Sequence, residues 1–201
     1  GAIVSFTTQI APAINVDVYA QRLDANGVKL WNAGNPVVIC NAANGQLNVR
    51  LAVFADASSV MTWEDLRPIS GGDGRWNIYA QKLNASGAVQ WTANGTVVSL
   101  AVQDQLKPQI LPVVNGGSNE TMIVWEDYRT DPLNPDIYGQ RLDANGVRQW
   151  PGGGITGAII CNAPGPQYTP LICTDGGTGA IVAWRDDRVN NFIDIYSVRL
   201  D

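Results

Sequence analysis

The feature that most restricts the fold of this chain is an internal repeat that recurs four times. The segment Asp17-Val-Tyr-Ala-Gln-Arg-Leu-Asp-Ala-Asn-Gly-Val-Lys-Leu-Trp31 returns with few changes from Asn77 to Trp91 and from Asp136 to Trp150. A shorter copy runs from Asp194 to Asp201. The copies begin at residues 17, 77, 136 and 194, so the repeat is 58 to 60 residues long. A period of this size indicates an architecture in which one supersecondary unit stacks on the next.

A second motif keeps the same spacing. It comprises Trp63-Glu-Asp-Leu-Arg67, Trp125-Glu-Asp-Tyr-Arg129 and Trp184-Arg-Asp-Asp-Arg188. The first copy has diverged to Phe6-Thr-Thr-Gln-Ile10, and it is aligned by the match of Gly1-Ala-Ile-Val4 with Gly179-Ala-Ile-Val182. Two motifs in register predict one repeat domain over residues 1–201, with units at about 1–45, 46–104, 105–165 and 166–201.

Each unit is predicted to contain four short antiparallel strands, which we label A to D in chain order. Strand B is an apolar run that ends at the motif tryptophan, and strand C alternates around Tyr-x-Gln-Arg-Leu. The following Asp-Ala-Asn-Gly segment is typical of a hairpin turn. Strand D is predicted to carry Trp31, Trp91 and Trp150. The first unit lacks strand A and the last lacks strand D, which predicts groups of three, four, four and three strands.

The composite motif Trp-x-Asp-x-Arg … Asp-Ile-Tyr-x-Gln-Arg-Leu-Asp-Ala-x-Gly … Trp resembles β-propeller repeats of large bacterial secreted and surface proteins, mostly without assigned activity. The resemblance covers essentially the whole chain. It implies an all-β, propeller-like fold of about four antiparallel units and an extracellular or cell-surface location.

The number of units leaves three arrangements open, because propellers usually have 4–8 blades. The chain is compatible with a small closed ring, with part of a larger propeller, or with a ring completed by a second copy. Open sheet edges invite partner strands. We therefore expect self-association, as a homodimer, or the remainder of a larger propeller.

The composition excludes several functions. The chain has no histidine, which removes Ser-His-Asp and Cys-His nucleophiles and His-containing zinc sites. Its formal charge of −5 argues against a nucleic-acid-binding surface, and no apolar run reaches the length of about 18 residues that spans a membrane. No calcium-loop motif is present, so neither a metal nor a cofactor is predicted. Cys40, Cys161 and Cys173 lie in apolar runs and are predicted to be buried free thiols.

Most carboxylates occupy repeat positions, and a residue required once per unit is expected to hold the unit together. The structural positions are Trp63, Asp65, Arg67, Trp125, Asp127, Arg129, Trp184, Asp186 and Arg188. Each aspartate is predicted to accept turn amides. Each arginine is predicted to bind a carboxylate of its own or the next unit, with Asp136 as one candidate.

The connections between strands B and C vary while the strands repeat, and in repeat folds such loops often form the binding face. They supply the candidate ligand-binding residues Asp73, Arg75, Trp76, Asp131, Asn134, Asp187, Asn190, Asn191 and Phe192. An aromatic ring beside polar groups suits a sugar or a peptide. The alternative is a loop that caps its own sheet, with Trp76 packed against it.

The sequence therefore predicts a non-catalytic module for ligand binding, protein binding or scaffolding in an extracellular bacterial protein. Its partner would be a glycan or a protein. Two alternatives stay open: a carbohydrate-active enzyme and a lectin-like oligomer. A glycosidase needs two facing carboxyl groups, and Asp73, Asp131 and Asp187 are available, but the sequence singles out no pair and we assign no catalytic residue.

Overall fold

The computed structural model describes residues 1–9, 15–68, 74–150, 154–189 and 192–201. It contains four antiparallel sheets. Sheet 1 comprises β1 (Ala2–Gln9), β2 (Val16–Leu23) and β3 (Val37–Cys40), and sheet 2 comprises β4 (Gln46–Val53), β5 (Ser59–Asp65), β6 (Asn77–Leu83) and β7 (Thr96–Ser99). Sheet 3 comprises β8 (Gln105–Asn115), β9 (Ser118–Asp127), β10 (Asp136–Leu142) and β11 (Ala158–Cys161), and sheet 4 comprises β12 (Gln167–Thr174), β13 (Ala180–Val189) and β14 (Phe192–Leu200).

The predicted all-β fold with incomplete terminal units is confirmed, because the sheets have three, four, four and three strands in the expected order. The helical structure in the described ranges is limited to one 3₁₀ turn, Asn32–Gly34. Across these same ranges, no helix has the length and apolarity required to cross a membrane.

The motif that follows strand C forms a hairpin turn in sheets 1, 2 and 3. Asp24 accepts the amides of Asn26 and Val28 at 2.8 and 2.9 Å, and Gly27 supplies the positive φ (+80°) of the turn. The Gln21 side-chain oxygen accepts the amide of Trp31 at 2.9 Å. The prediction that Trp31, Trp91 and Trp150 lie on strand D is wrong. Each lies in the loop before that strand, where a strand-C glutamine accepts its backbone amide.

The sheets stack in chain order, with unlike faces in contact. We call the face that carries the strand-B aromatic the front face, and the opposite face the back face. The front faces hold Phe6, Trp63, Trp125 and Trp184, each paired with a strand-C tyrosine, namely Tyr19, Tyr79, Tyr138 and Tyr196. The back faces hold the equivalent aliphatic residues Val18, Ile78, Ile137 and Ile195.

Each interior junction buries one front face against the back face of the preceding sheet. Trp63 packs with Val18 of sheet 1, and Trp125 packs with Ile78 of sheet 2. Trp184 packs with Ile137 of sheet 3. The strand-A elements β4, β8 and β12 contact one another in succession, so the sheets converge on the side of strand A.

Candidate functional site

The repeated Trp-x-Asp-x-Arg motif forms a compact cluster in sheets 2, 3 and 4. In sheet 3 the Trp125 indole donates to Asp127 at 2.8 Å, and Arg129 Nε donates to the same carboxylate at 2.7 Å. The guanidinium lies 3.8 Å from the centre of the Tyr138 ring. The arginine partner is thus the aspartate two residues earlier, and not Asp136, which accepts a hydrogen bond from Thr130 at 2.7 Å.

The carboxylates of these clusters are buried and fully engaged. The side chains of Asp65, Asp127 and Asp186 are each 0% exposed. Burial opposes ionisation of Asp186, but hydrogen bonds from Arg188 and the Trp184 indole hold its pKa below the usual range. The Asp186 carboxylate therefore remains ionised, orients Arg188 and is not exposed to solvent.

Two cysteines contact the arginines of the next sheet. Cys40 of sheet 1 accepts from Arg67 at 3.2 Å, and Cys161 of sheet 3 accepts from Arg188 at 3.3 Å. Burial raises the pKa of Cys40 to about 12, which opposes thiolate formation. The prediction of three buried thiols is confirmed for Cys40 but wrong for the other two. Cys161 is half-buried, and Cys173 is exposed because it lies on the uncovered back face of sheet 4.

A glutamate on the back face links each interior sheet to the next. Glu64 accepts the backbone amide of Lys107 at 2.6 Å, and Glu126 accepts that of Thr169 at 2.7 Å. Both amides belong to bulges of strand A where φ is +54° and +49°. Burial raises the pKa of Glu64, although the Lys107 amide and the Asn48 side chain favour its charged form.

The variable loop of sheet 2 contacts the chain that leads into sheet 3. The Trp76 amide donates to Asp104 at 3.1 Å, and Arg75 lies 3.9 Å from the same carboxylate. The Trp76 ring is in close contact with Gly45, so it packs on the entry to strand A of its own sheet. Asp73 of this loop lies outside the described residues.

The loops of sheets 3 and 4 place their candidates apart. Asp131 accepts the Asn134 side chain at 2.6 Å and the Leu133 amide at 2.8 Å, so it closes its own loop. Asp187 has a buried oxygen without a hydrogen-bond partner, and Phe192 is 71% exposed. Asn190 and Asn191 lie outside the described residues. In the part of the chain that is described, no group of three or more cysteines and acidic residues is placed to hold a metal ion.

The three tryptophans that follow the hairpin turn after strand C form a second series of contacts between sheets. The Trp31 indole donates to Ala85 in the turn of sheet 2, and the Trp91 indole donates to Ala144 in the turn of sheet 3, both at 3.1 Å. Trp150 is the third member. It lines a cavity of about 240 Å³ together with Ile159 and Leu200.

The terminal sheets present the two faces that interior junctions bury. Phe6, on the front face of sheet 1, is 36% exposed, and Ile195, on the back face of sheet 4, is 72% exposed. The interior equivalents Trp125 and Ile137 are each 0% exposed. Leu171 and Ile181 extend the apolar surface around Ile195. Sequence reasoning missed these faces, although the diverged residues Thr8 and Arg185 at repeat positions were a visible signal.

Comparison with known proteins identifies the fold. No protein-family model and no curated protein sequence matches the chain. A solved structure described as a thermostable family-43 glycoside hydrolase is similar, with a TM-score of 0.51 and 10% sequence identity over 98% of this chain and 67% of the other. That hydrolase is a five-bladed β-propeller. The likeness confirms the propeller-like fold, and at this identity it shows the fold alone.

Proposed function

We propose that this chain is a non-catalytic, extracellular scaffolding module that binds a protein partner through its terminal sheets. The observation that carries the proposal is the exposure of two apolar sheet faces, around Phe6 and around Ile195, that are buried wherever the repeat is continued. Contiguous exposed apolar surface on a folded protein is typical of an interaction site.

The engagement of the acidic side chains supports a role without catalysis. A glycosidase needs one carboxyl group that is free to donate a proton and a second that faces the sugar. Here Asp127 is paired with an arginine, Glu126 accepts an interior amide, and Glu120 binds Arg141 at 2.6 Å. Asp131 is held by its own loop. These contacts give Asp127, Glu126, Glu120 and Asp131 structural roles.

The first experiment measures dye binding to the two faces. We expect the native chain to increase the fluorescence of anilinonaphthalene sulfonate, and Ile195→Glu to reduce this increase. Leu133→Glu is the matched control, because Leu133 is 78% exposed but lies in a loop outside both faces. Fluorescence that is absent, or that Ile195→Glu leaves unchanged, would overturn the assignment of the faces as an interaction site.

The second experiment tests the alternative functions on the same preparation. We expect no hydrolysis of a panel of aryl glycosides and no retention on a glycan array. Hydrolysis that is lost in Asp131→Asn or Asp187→Asn would overturn the non-catalytic assignment and support a carbohydrate-active enzyme. Glycan binding that is lost in Trp76→Ala, with the fold intact by circular dichroism, would support a lectin.

A further inference from the structure

We infer that the partner of these faces is a second copy of this chain, bound head to tail, so that the front face of sheet 1 covers the back face of sheet 4 of its neighbour. This inference rests on the proposed function, since it names the protein that the faces bind. Its first support is the junction itself, because all three interior junctions join a front face to a back face. One chain therefore carries both halves of a contact that it already forms three times.

The back face of sheet 4 departs from the interior pattern at the residue that would contact strand A of a following sheet. Glu64 and Glu126 each accept a strand-A amide, but the equivalent residue in sheet 4 is the exposed Arg185. A guanidinium has no acceptor and cannot take that hydrogen bond. The back face of sheet 4 therefore cannot repeat the glutamate-to-amide contact of the interior junctions, and a neighbour on this face docks without it.

The front face of sheet 1 shows the reciprocal change. In sheets 2 and 4 the Trp-Asp-Arg cluster contacts a cysteine at the end of strand D of the preceding sheet. Sheet 1 has Phe6 and Thr8 where the cluster has tryptophan and aspartate. On sheet 4, Val198 replaces the glutamine that positions the strand-D loop in the other sheets. The tryptophan–aspartate pair is therefore absent from sheet 1, and the glutamine that holds a strand-D loop is absent from sheet 4.

The charges at this junction are also complementary. Arg185 and Arg199 lie on the back face of sheet 4, and Arg199 also binds Asp175 of its own sheet at 2.8 Å. Asp17 lies on the front face of sheet 1, and its Oδ1 is buried without a hydrogen-bond partner. That oxygen is covered within its own chain, so the complementarity at this junction concerns the sign of the charges and not a hydrogen bond to the neighbouring copy. Terminal repeats that face solvent are usually polar, whereas Phe6, Val4 and Ile195 keep these faces apolar.

The test is sedimentation velocity on the 201-residue chain and on two variants that each block one face. We expect the native chain to associate into multiples of 21.6 kDa as its concentration rises. Phe6→Glu blocks the front face of sheet 1, and Ile195→Glu blocks the back face of sheet 4. Each variant alone should be monomeric, because it lacks one half of the junction. An equimolar mixture of the two should form a 1:1 dimer, since each supplies the face that the other has lost.

Several outcomes would overturn the inference. These are a native chain that stays monomeric, a single variant that still associates, and a mixture that stays monomeric. Leu133→Glu is the control and should associate like the native chain. Circular dichroism checks folding, and Val4→Glu, on the same front face, replaces Phe6→Glu if that variant does not fold. A monomeric native chain that still binds the dye at Ile195 would refute the second-copy partner and leave the proposed function standing.

Discussion

Replacing Trp125 with alanine should destabilise the fold far more than the same change at the equivalent residue, Phe6. Trp125 is fully buried and packs against Val60 and Ile78 of the preceding sheet. Truncation of a buried tryptophan costs about 3–5 kcal/mol. Phe6 is 36% exposed on an uncovered face. Complete burial of such a side chain contributes about 1.5–3 kcal/mol, so we expect a cost of about 1–2 kcal/mol for Phe6→Ala.

The measurement is urea unfolding followed by far-UV circular dichroism, at a protein concentration where sedimentation shows monomers. A loss of about 3–5 kcal/mol is a large share of the roughly 5–15 kcal/mol that stabilises a domain. Trp125→Phe is the milder companion variant. It keeps an aromatic ring but removes the hydrogen bond to the Asp127 carboxylate, which should cost about 1.5–3 kcal/mol. Equal costs for Trp125→Ala and Phe6→Ala would refute the stacking of unlike faces.

Three further outcomes are expected. Arg129→Met leaves a buried carboxylate unpaired and should cost about 3–5 kcal/mol in urea unfolding, whereas Arg75→Met, at a pair that is partly exposed and 3.9 Å apart, should cost about 0–1 kcal/mol. The raised pKa of Glu64 means that its contribution to stability is full below its ordinary value of 4.5 and is lost as the pH rises through the raised pKa. Glu64→Gln should therefore gain stability relative to the native chain as the pH rises above 4.5, and a difference that is independent of pH would contradict the burial of this group. Iodoacetamide should modify the exposed Cys173 in the native chain and the buried Cys40 only after unfolding, as mass spectrometry of peptides would show.

The strands and their grouping were predictable because the sequence contains four copies of one unit, which can be compared with one another. Residues that recur, such as the tyrosine and glutamine of strand C, mark positions that every sheet needs. The hairpin turn was predictable from Asp24 and Gly27 alone, since the side-chain oxygen and the positive φ act within four residues.

The partners of the recurring charges were harder to predict. Arg129 was expected to bind a carboxylate of its own or the next unit, with the distant Asp136 as a candidate, but strand B ends in a turn that brings it back to Asp127. Glu126 gave no sign of its partner, because the Thr169 amide becomes available only through a bulge with positive φ at a non-glycine residue. The spacing of residues in the sequence does not indicate such a bulge.

The binding role given to the variable loops stays a prediction. Arg75 and Trp76 meet at Asp104, and Asp131 meets Asn134, so these side chains contact their own surroundings. The exposed faces were missed because strands with the same alternation occur in every sheet. Whether such a face is covered depends on the neighbouring sheet, and the pattern of a single strand does not contain that information.

The placement of Trp31 against Gly87, and of Trp91 against Gly146, has a consequence for how such a gene changes over time. The tryptophan ring belongs to one unit, and the glycine that makes room for it belongs to the next unit. A duplication of one whole repeat therefore places a tryptophan against a turn glycine at each junction of the inserted unit with its neighbours. A deletion that is not a multiple of the period separates ring from glycine. The number of repeats can therefore change by whole units. Each turn glycine is required by the tryptophan of the preceding unit.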